Sequence, residues 1–175
     1  MAIGVAGFGL GLYNAHQANK KPLRDRQHAL LDKVRDTIVD IPARLDEQVV
    51  QRLDDGELVG PAPSWLTETR KAVEVLAPQL SDVNRTAALT SLAGELDLLR
   101  SGWSLASLDE RTAESSRTNL DYVRRRNGDV SKAERDLDAS RQRRSSSQNS
   151  FRTQAVRTKR LVNGQLRTIN EIQRR

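Results

Sequence analysis

Residues able to do chemistry are few in this chain and are spaced for almost none of it. The only histidines are His16 and His28, about three turns apart if one helix holds them, which is too far for both to bind one metal ion. Acidic neighbours occur at Asp54 and Asp55, at Asp109 and Glu110, and at Glu95 with Asp97. A catalytic carboxylate pair needs burial or mutual coupling to split its two pKa values, and two of these pairs sit at expected helix ends, where caps and dipoles explain them without it. Cysteine is absent, which removes thiolate metal sites, disulfides and cysteine nucleophiles. No P-loop, HExxH or G-x-S-x-G pattern occurs, and serines without a base or an oxyanion hole make no site. The sequence therefore reads as non-enzymatic, with no cofactor and no metal.

Glycines near the start suggest two different uses, the first because the stretch IGVAGFGLG looks like a strand entering a nucleotide-binding turn. Gly7, Gly9 and Gly11 give G-x-G-x-G, with Leu12 where the fingerprint needs its third glycine, and no alternation of strands and helices follows. The second use fits better. Gly7, Gly11 and Ala15 fall on one helix face at four-residue spacing, the pattern that lets two membrane helices approach closely. Residues 1–18 are thus read as an apolar, glycine-rich membrane-contacting segment. Its uncharged part, Ala2 to Tyr13, reaches only about 18 Å as a helix, against the roughly 30 Å of a hydrocarbon core. It is a short or truncated anchor. Lys20, Lys21, Arg24 and Arg26 follow it, which under the positive-inside rule leaves the bulk of the chain in the cytoplasm; the alternative is a soluble cytoplasmic protein.

The other chemical feature is charge. From Arg124 to Arg175 there are 15 lysines and arginines against 5 acids, and no acid at all lies between Ala139 and Asn170. Such a segment cannot neutralise itself locally and is expected to carry a positive potential. Arg141, Arg143, Arg144, Arg152, Arg157, Lys159 and Arg160 are the residues expected to meet an anionic partner. An anionic membrane surface is the first candidate. Nucleic acid is the second, bound by backbone charge alone, because Tyr122 and Phe151 are too few aromatics for a stacking platform.

Positioning these residues falls to helices. Hydrophobic content is 37% and aromatics only 3%, a composition suited to amphipathic helices sharing a narrow seam. Over residues 19–54 the positions Leu23, Leu30, Val34, Ile38, Ile41, Leu45, Val49 and Leu53 recur every three, four or seven residues, one stripe on a long helix. Pro22 suits its first turn and Pro42 kinks it. The glycines and prolines of DDGELVGPAP break the chain. Over 64–103 a hairpin is expected: one helix from Ser64 to Ala77, stopped by Pro78, and another from Ser81 or Asp82 to Ser101 and Gly102. Trp65 and Trp103 should then join one cluster.

Over 107–175 the S-x-x-E spacing of Ser107 to Glu110 predicts a new helix, Asn127-Gly128 its stop, and Ser131 to Glu134 a second box for the last helix. Between Leu137 and Phe151 no large apolar residue occurs, so this stretch is either exposed helix held by its flanks or a hinge. The expected fold is all-α, an elongated, coiled-coil-like bundle of about five helices with no β-sheet. The expected role is a membrane-associated scaffold or interaction component that meets a protein partner or a second copy through its helical stripes.

Overall fold

A computed structural model describes the backbone of residues 4–54, 58 and 60–174, and the side chains of residues 21–49, 52, 53, 58 and 60–174. It is all-α; among the described residues there is no strand. Four helices of thirteen residues or more carry the fold: α1 (Gly4–Ile38), α4 (Ser64–Leu76), α5 (Val83–Arg125) and α6 (Ser131–Gln173). Two short pieces, α2 (Ile41–Leu45) and α3 (Gln51–Asp54), flank a π turn at Asp46–Val50.

Helix α1 passes through Pro22 and does not start there. A proline inside a helix frees the carbonyl four residues back, and here residues 21–26 are all exposed, so water can satisfy it. Leu23 accordingly leaves the predicted stripe and stands 65% exposed. Burial begins at Leu30 and continues through Leu31, Val34, Ile38, Ile41, Leu45, Val49 and Leu53. Pro42 breaks the helix as expected, ending α1 four residues earlier and occupying the first turn of α2. The four-residue steps from Ile41 to Leu53 would rotate off the face of a helix with 3.6 residues per turn. The π turn, closed by i→i+5 bonds, takes more residues per revolution and returns them to it.

Helix α4 stops at a 3₁₀ turn over Ala77–Gln79 that contains Pro78. Helix α5 starts where the Asp82 carboxylate accepts from the Asn84 and Arg85 N–H groups at 2.9 and 3.2 Å, the capping expected at that residue. Gln27 of α1 ties down this turn, accepting from the Ser81 N–H at 3.1 Å and donating to the Gln79 carbonyl at 3.4 Å.

The expected breaks at Ser101-Gly102 and before Ser107 do not occur: α5 is one helix of 43 residues. Both residues serve tertiary contacts instead. Gly102 faces Phe151, whose Cδ2 lies 3.0 Å from where a Cβ on Gly102 would stand. Ser107 serves the loop before α4 and not a helix end. Its Oγ donates to the Gly60 carbonyl and accepts from the Gly60 N–H, each at 3.1 Å, while Trp103 Nε1 donates to the same carbonyl at 3.2 Å. Gly60 has φ +115°, a conformation open to glycine alone without strain. The loop is thereby pinned along α5.

The α5–α6 turn is where the sequence placed it. Asn127 takes φ 52° and donates to the Arg124 carbonyl at 3.2 Å, and the Gly128 N–H reaches the Val123 carbonyl at 3.1 Å. This pair of bonds is the Schellman closure. The second predicted capping box is replaced by Asp129, whose Oδ1 accepts from the Ser131 N–H at 2.9 Å. Helix α6 then runs unbroken through residues 138–150.

One core joins α1, α2, α4, the first half of α5 and the second half of α6, and both Trp65 and Trp103 belong to it. It ends at Ala106 on α5 and Phe151 on α6. Beyond those residues the two helices have chiefly each other, with a small second cluster of Leu120, Ala133 and Leu137 near the turn. The fold is therefore a helical bundle from which a two-helix arm projects about 30 Å, at 1.5 Å per residue.

Candidate functional site

The arm is held by a seam of alternating three- and four-residue steps on both helices. On α5 it runs Leu99, Trp103, Ala106, Glu110, Ala113, Arg117, Leu120; on α6 it runs Ala133, Leu137, Ser140, Arg144, Ser147, Phe151. Large apolar side chains stand at the two ends, and between them the buried positions are the small Ala106, Ala113, Ser140 and Ser147, with Glu110, Arg117 and Arg144 at the margins, a pattern that suits close approach of two helices. Ser140 and Ser147 are buried, and each hydroxyl donates to a carbonyl of its own helix, Leu137 at 2.8 Å and Arg144 at 3.1 Å. That local bond is what lets a hydroxyl sit in the seam without a partner on α5.

Along α6, in this seam and beyond it, basic residues of the acid-free segment find acids on other elements. Arg144 Nε meets Glu110 Oε2 at 2.6 Å, and Gln148 donates to the same oxygen at 3.0 Å. Arg157 meets the buried Glu95 at 2.9 Å, and Gln154 also donates to Glu95. Lys159 meets Asp46 of the π turn at 2.5 Å. Arg124 and Glu134 close the arm across its turn at 3.0 Å. Arg141 pairs with Asp138 on its own helix, at 3.7 Å with both side chains mostly exposed. The local sequence has no acids between residues 139 and 170, but the fold supplies them from α5 and the π turn. These charges are therefore largely committed within the chain.

Three further residues of the expected anion-binding set, Arg143, Arg152 and Arg160, are exposed on α6. Arg152 is engaged in a contact of its own. Arg143 lines a shallow groove on one flank of the arm with Leu105 and Asp109 of α5 and Ala139, Ser146 and Ser150 of α6. The set is thus divided: Arg144, Arg157 and Lys159 tie elements together, while Arg143 and Arg160 face outward. Tyr122 is covered by Arg126, with the guanidinium 4.9 Å from the ring centre, a cation–π contact.

Sequence reasoning missed Glu95 and Glu110 as seam residues, although a signal existed. Both continue the three- and four-residue progression of Leu92, Leu99, Ala106 and Ala113, so their charge concealed positions that their spacing gave away. The expected membrane-helix contact of Gly7, Gly11 and Ala15 lies outside the residues whose side chains and burial are described, and so does the side chain of His16. Among the described residues no group of three or more His, Cys, Asp or Glu gathers as a metal site, and no helix is long and apolar enough to cross a membrane.

Asp129 at the arm's tip has its carboxyl held below the ordinary aspartate value, first by the backbone N–H of Ser131 and then by the Ser131 hydroxyl. Fold and surface together define a class: an all-α bundle with a projecting, charge-zipped helical arm. Compared with protein-family models, with curated proteins and with solved structures, the chain matches none.

Proposed function

We propose that this protein is a non-enzymatic helical scaffold that associates with a membrane surface through residues 1–18 and presents the α5–α6 arm to a protein partner. The observation that carries the reading is the arm itself. Three ion pairs fasten it internally, yet Leu108 on it, and Leu98 and Leu105 just before it on α5, are 53–56% exposed. A helix shows large apolar side chains in such a row where another surface is to cover them. Membrane association draws its support from the uncharged first stretch and from the basic residues after it, of which Lys21, Arg24 and Arg26 are exposed on α1. Basic side chains beside a shallowly inserted apolar segment gain about 1 kcal/mol each over anionic lipid.

Non-specific nucleic-acid binding through residues 124–167 ranks second, because Arg141, Arg144, Arg157 and Lys159 already have carboxylate partners. Flotation of the full chain and of residues 19–175 with vesicles containing anionic lipid tests the membrane reading. The full chain is expected to float and the shortened form to stay behind. Equal behaviour of the two removes the N-terminal segment from the function. A salt titration of retention on duplex DNA tests the second reading, which requires a steep fall with salt.

A further inference from the structure

The groove on the flank of the arm combines three properties that together point to its occupant. It is lined on α5 by Leu105, 54% exposed, and Asp109, and on α6 by Ala139, Arg143, Ser146 and Ser150. Its α6 wall is thus made chiefly of small side chains, which admit close approach of another helix. Asp109 and Arg143 are the charged residues that line it. Arg124, Arg141 and Arg144 of the arm have carboxylate partners, whereas Asp109 and Arg143 make no ion pair with any described residue. One surface therefore offers an acid and a base, on opposite walls, together with an apolar ridge.

We propose that the occupant is a second copy of this chain, whose arm lies alongside the first in the same direction about a two-fold axis running along the arm, with Arg143 of each copy against Asp109 of the other. The inference rests on reading the arm as an interaction surface and names its partner. A two-fold contact must be self-complementary, and this face meets that demand. A two-fold axis in the contact plane, running along the arm between its two walls, lays α5 of each copy on α6 of the other, so Asp109 of each meets the wall that carries Arg143. The same rotation keeps each residue at its own height along the arm, and the pairs Trp103–Phe151 and Glu110–Arg144 set Leu105 level with the stretch between Ser146 and Ser150, whose small side chains on the other copy leave room for it. Two helices about 30 Å long and about 10 Å wide each offer roughly 600 Å² per copy, which with its partner's share reaches the lower edge of specific interfaces, about 1,200 Å². The arrangement makes a four-helix bundle of two hairpins, the usual way for a thin hairpin to gain a core.

Sedimentation equilibrium on the full chain tests this, with helical content and melting followed in parallel to show that each variant folds. The wild-type chain is expected to dimerise. Asp109→Arg and Arg143→Asp are each expected to weaken the dimer about tenfold or more, because each variant brings like charges together in both copies of the contact. Mixing the two single variants restores opposite charges at both contacts, so the mixture is expected to associate as the wild type does, and so is the double variant. Leu105→Glu is expected to abolish the dimer.

A chain that stays monomeric at its highest soluble concentration overturns the proposal. So does a dimer indifferent to these substitutions, which would place self-association in residues 1–18 or elsewhere, and so does a mixture of the single variants that fails to recover. Vesicle flotation does not involve the arm's flank. Absence of the dimer with flotation retained sinks this inference and leaves the membrane reading standing, whereas the reverse result sinks only the latter.

Discussion

Phe151 of α6 and Trp103 of α5 stand edge to face, their ring centres 5.9 Å apart and their planes at 89°, and the Phe151 ring lies against Gly102, where a Cβ would stand 3.0 Å from its Cδ2. Both aromatic residues are buried, and they mark the level at which the bundle ends and the arm begins. A glycine inside a long helix costs about 1 kcal/mol relative to alanine. At Gly102 that cost is offset by the aromatic contact, since T-shaped pairs contribute about 0.5–1.5 kcal/mol beyond their burial.

The three glycines inside α5 and α6 should accordingly respond in opposite ways. Nothing lies within 4 Å of a Cβ placed on Gly94 or Gly164, so Gly94→Ala and Gly164→Ala are each expected to raise stability by about 0.5–1 kcal/mol. Gly102→Val forces Phe151 out of a filled site and is expected to lower stability by about 1–3 kcal/mol. Urea midpoints of the three variants against wild type decide it; a Gly102→Val chain as stable as wild type would show that the ring moves freely.

Gly102 also shows how far the sequence can be read. The all-α class, the Pro42 break, the Asp82 cap and the Asn127-Gly128 stop are legible because each is a local preference of a few adjacent residues. Gly102 and Ser107 look like local punctuation too, but each answers to a partner more than forty residues away in the chain, Phe151 and Gly60. The candidate site is obscured in the same way. Arg144 looks uncompensated in sequence because Glu110 lies 34 positions earlier, in a stretch with the spacing of a helix start. Short-range spacing reveals which residues share a face, whereas the identity of the facing helix decides which charges remain available.

The Glu110–Arg144 pair should couple more strongly than the Asp138–Arg141 pair. Glu110's side chain is 12% exposed and shares its oxygen with Gln148, whereas Asp138 and Arg141 are 76% and 61% exposed. A double-mutant cycle with alanine at 110 and 144 is expected to give about 1–2 kcal/mol of interaction energy, against about 0.5 kcal/mol or less for the exposed pair. Equal couplings would mean that the seam gives its ion pair no advantage over solvent.

Acid should loosen the arm from its tip. The Asp129 carboxyl is held below its ordinary value by the Ser131 N–H and hydroxyl. A carboxylate whose folded pKa is depressed contributes stability that is fully present above the unfolded value and lost as pH falls through the folded one. Fraying of α6 at Ser131 is therefore expected only as pH drops below the ordinary aspartate range, and Asp129→Asn should remove that pH dependence. The Ser131 amide shift, followed by NMR from neutral pH into acid, reports it directly; a midpoint at or above the ordinary aspartate value would refute the cap.

The two halves of α5 should differ in protection although one helix contains both. Residues up to Ala106 are anchored in a core shared by four helices, while the far part relies on the Ala and Ser seam, three ion pairs and the cluster of Leu120, Ala133 and Leu137. The free energy of local opening rises with the apolar surface that opening exposes to water, so amides of 110–125 and 131–148 should exchange at lower protection than those of 89–103 and 155–169. Dilution should lower arm protection further if a second copy covers its flank, because the free energy of association then adds to that of the closed arm. Ser140→Leu separates packing from helix propensity: leucine is the better helix former by a few tenths of a kcal/mol, but at a buried seam position it overfills the space by about 1–3 kcal/mol. Hydrogen exchange of this variant should therefore be faster across the arm and unchanged in the bundle. If protection rises instead, the helices are separated enough at Ser140 to admit a large side chain, and the seam is looser than its spacing implies.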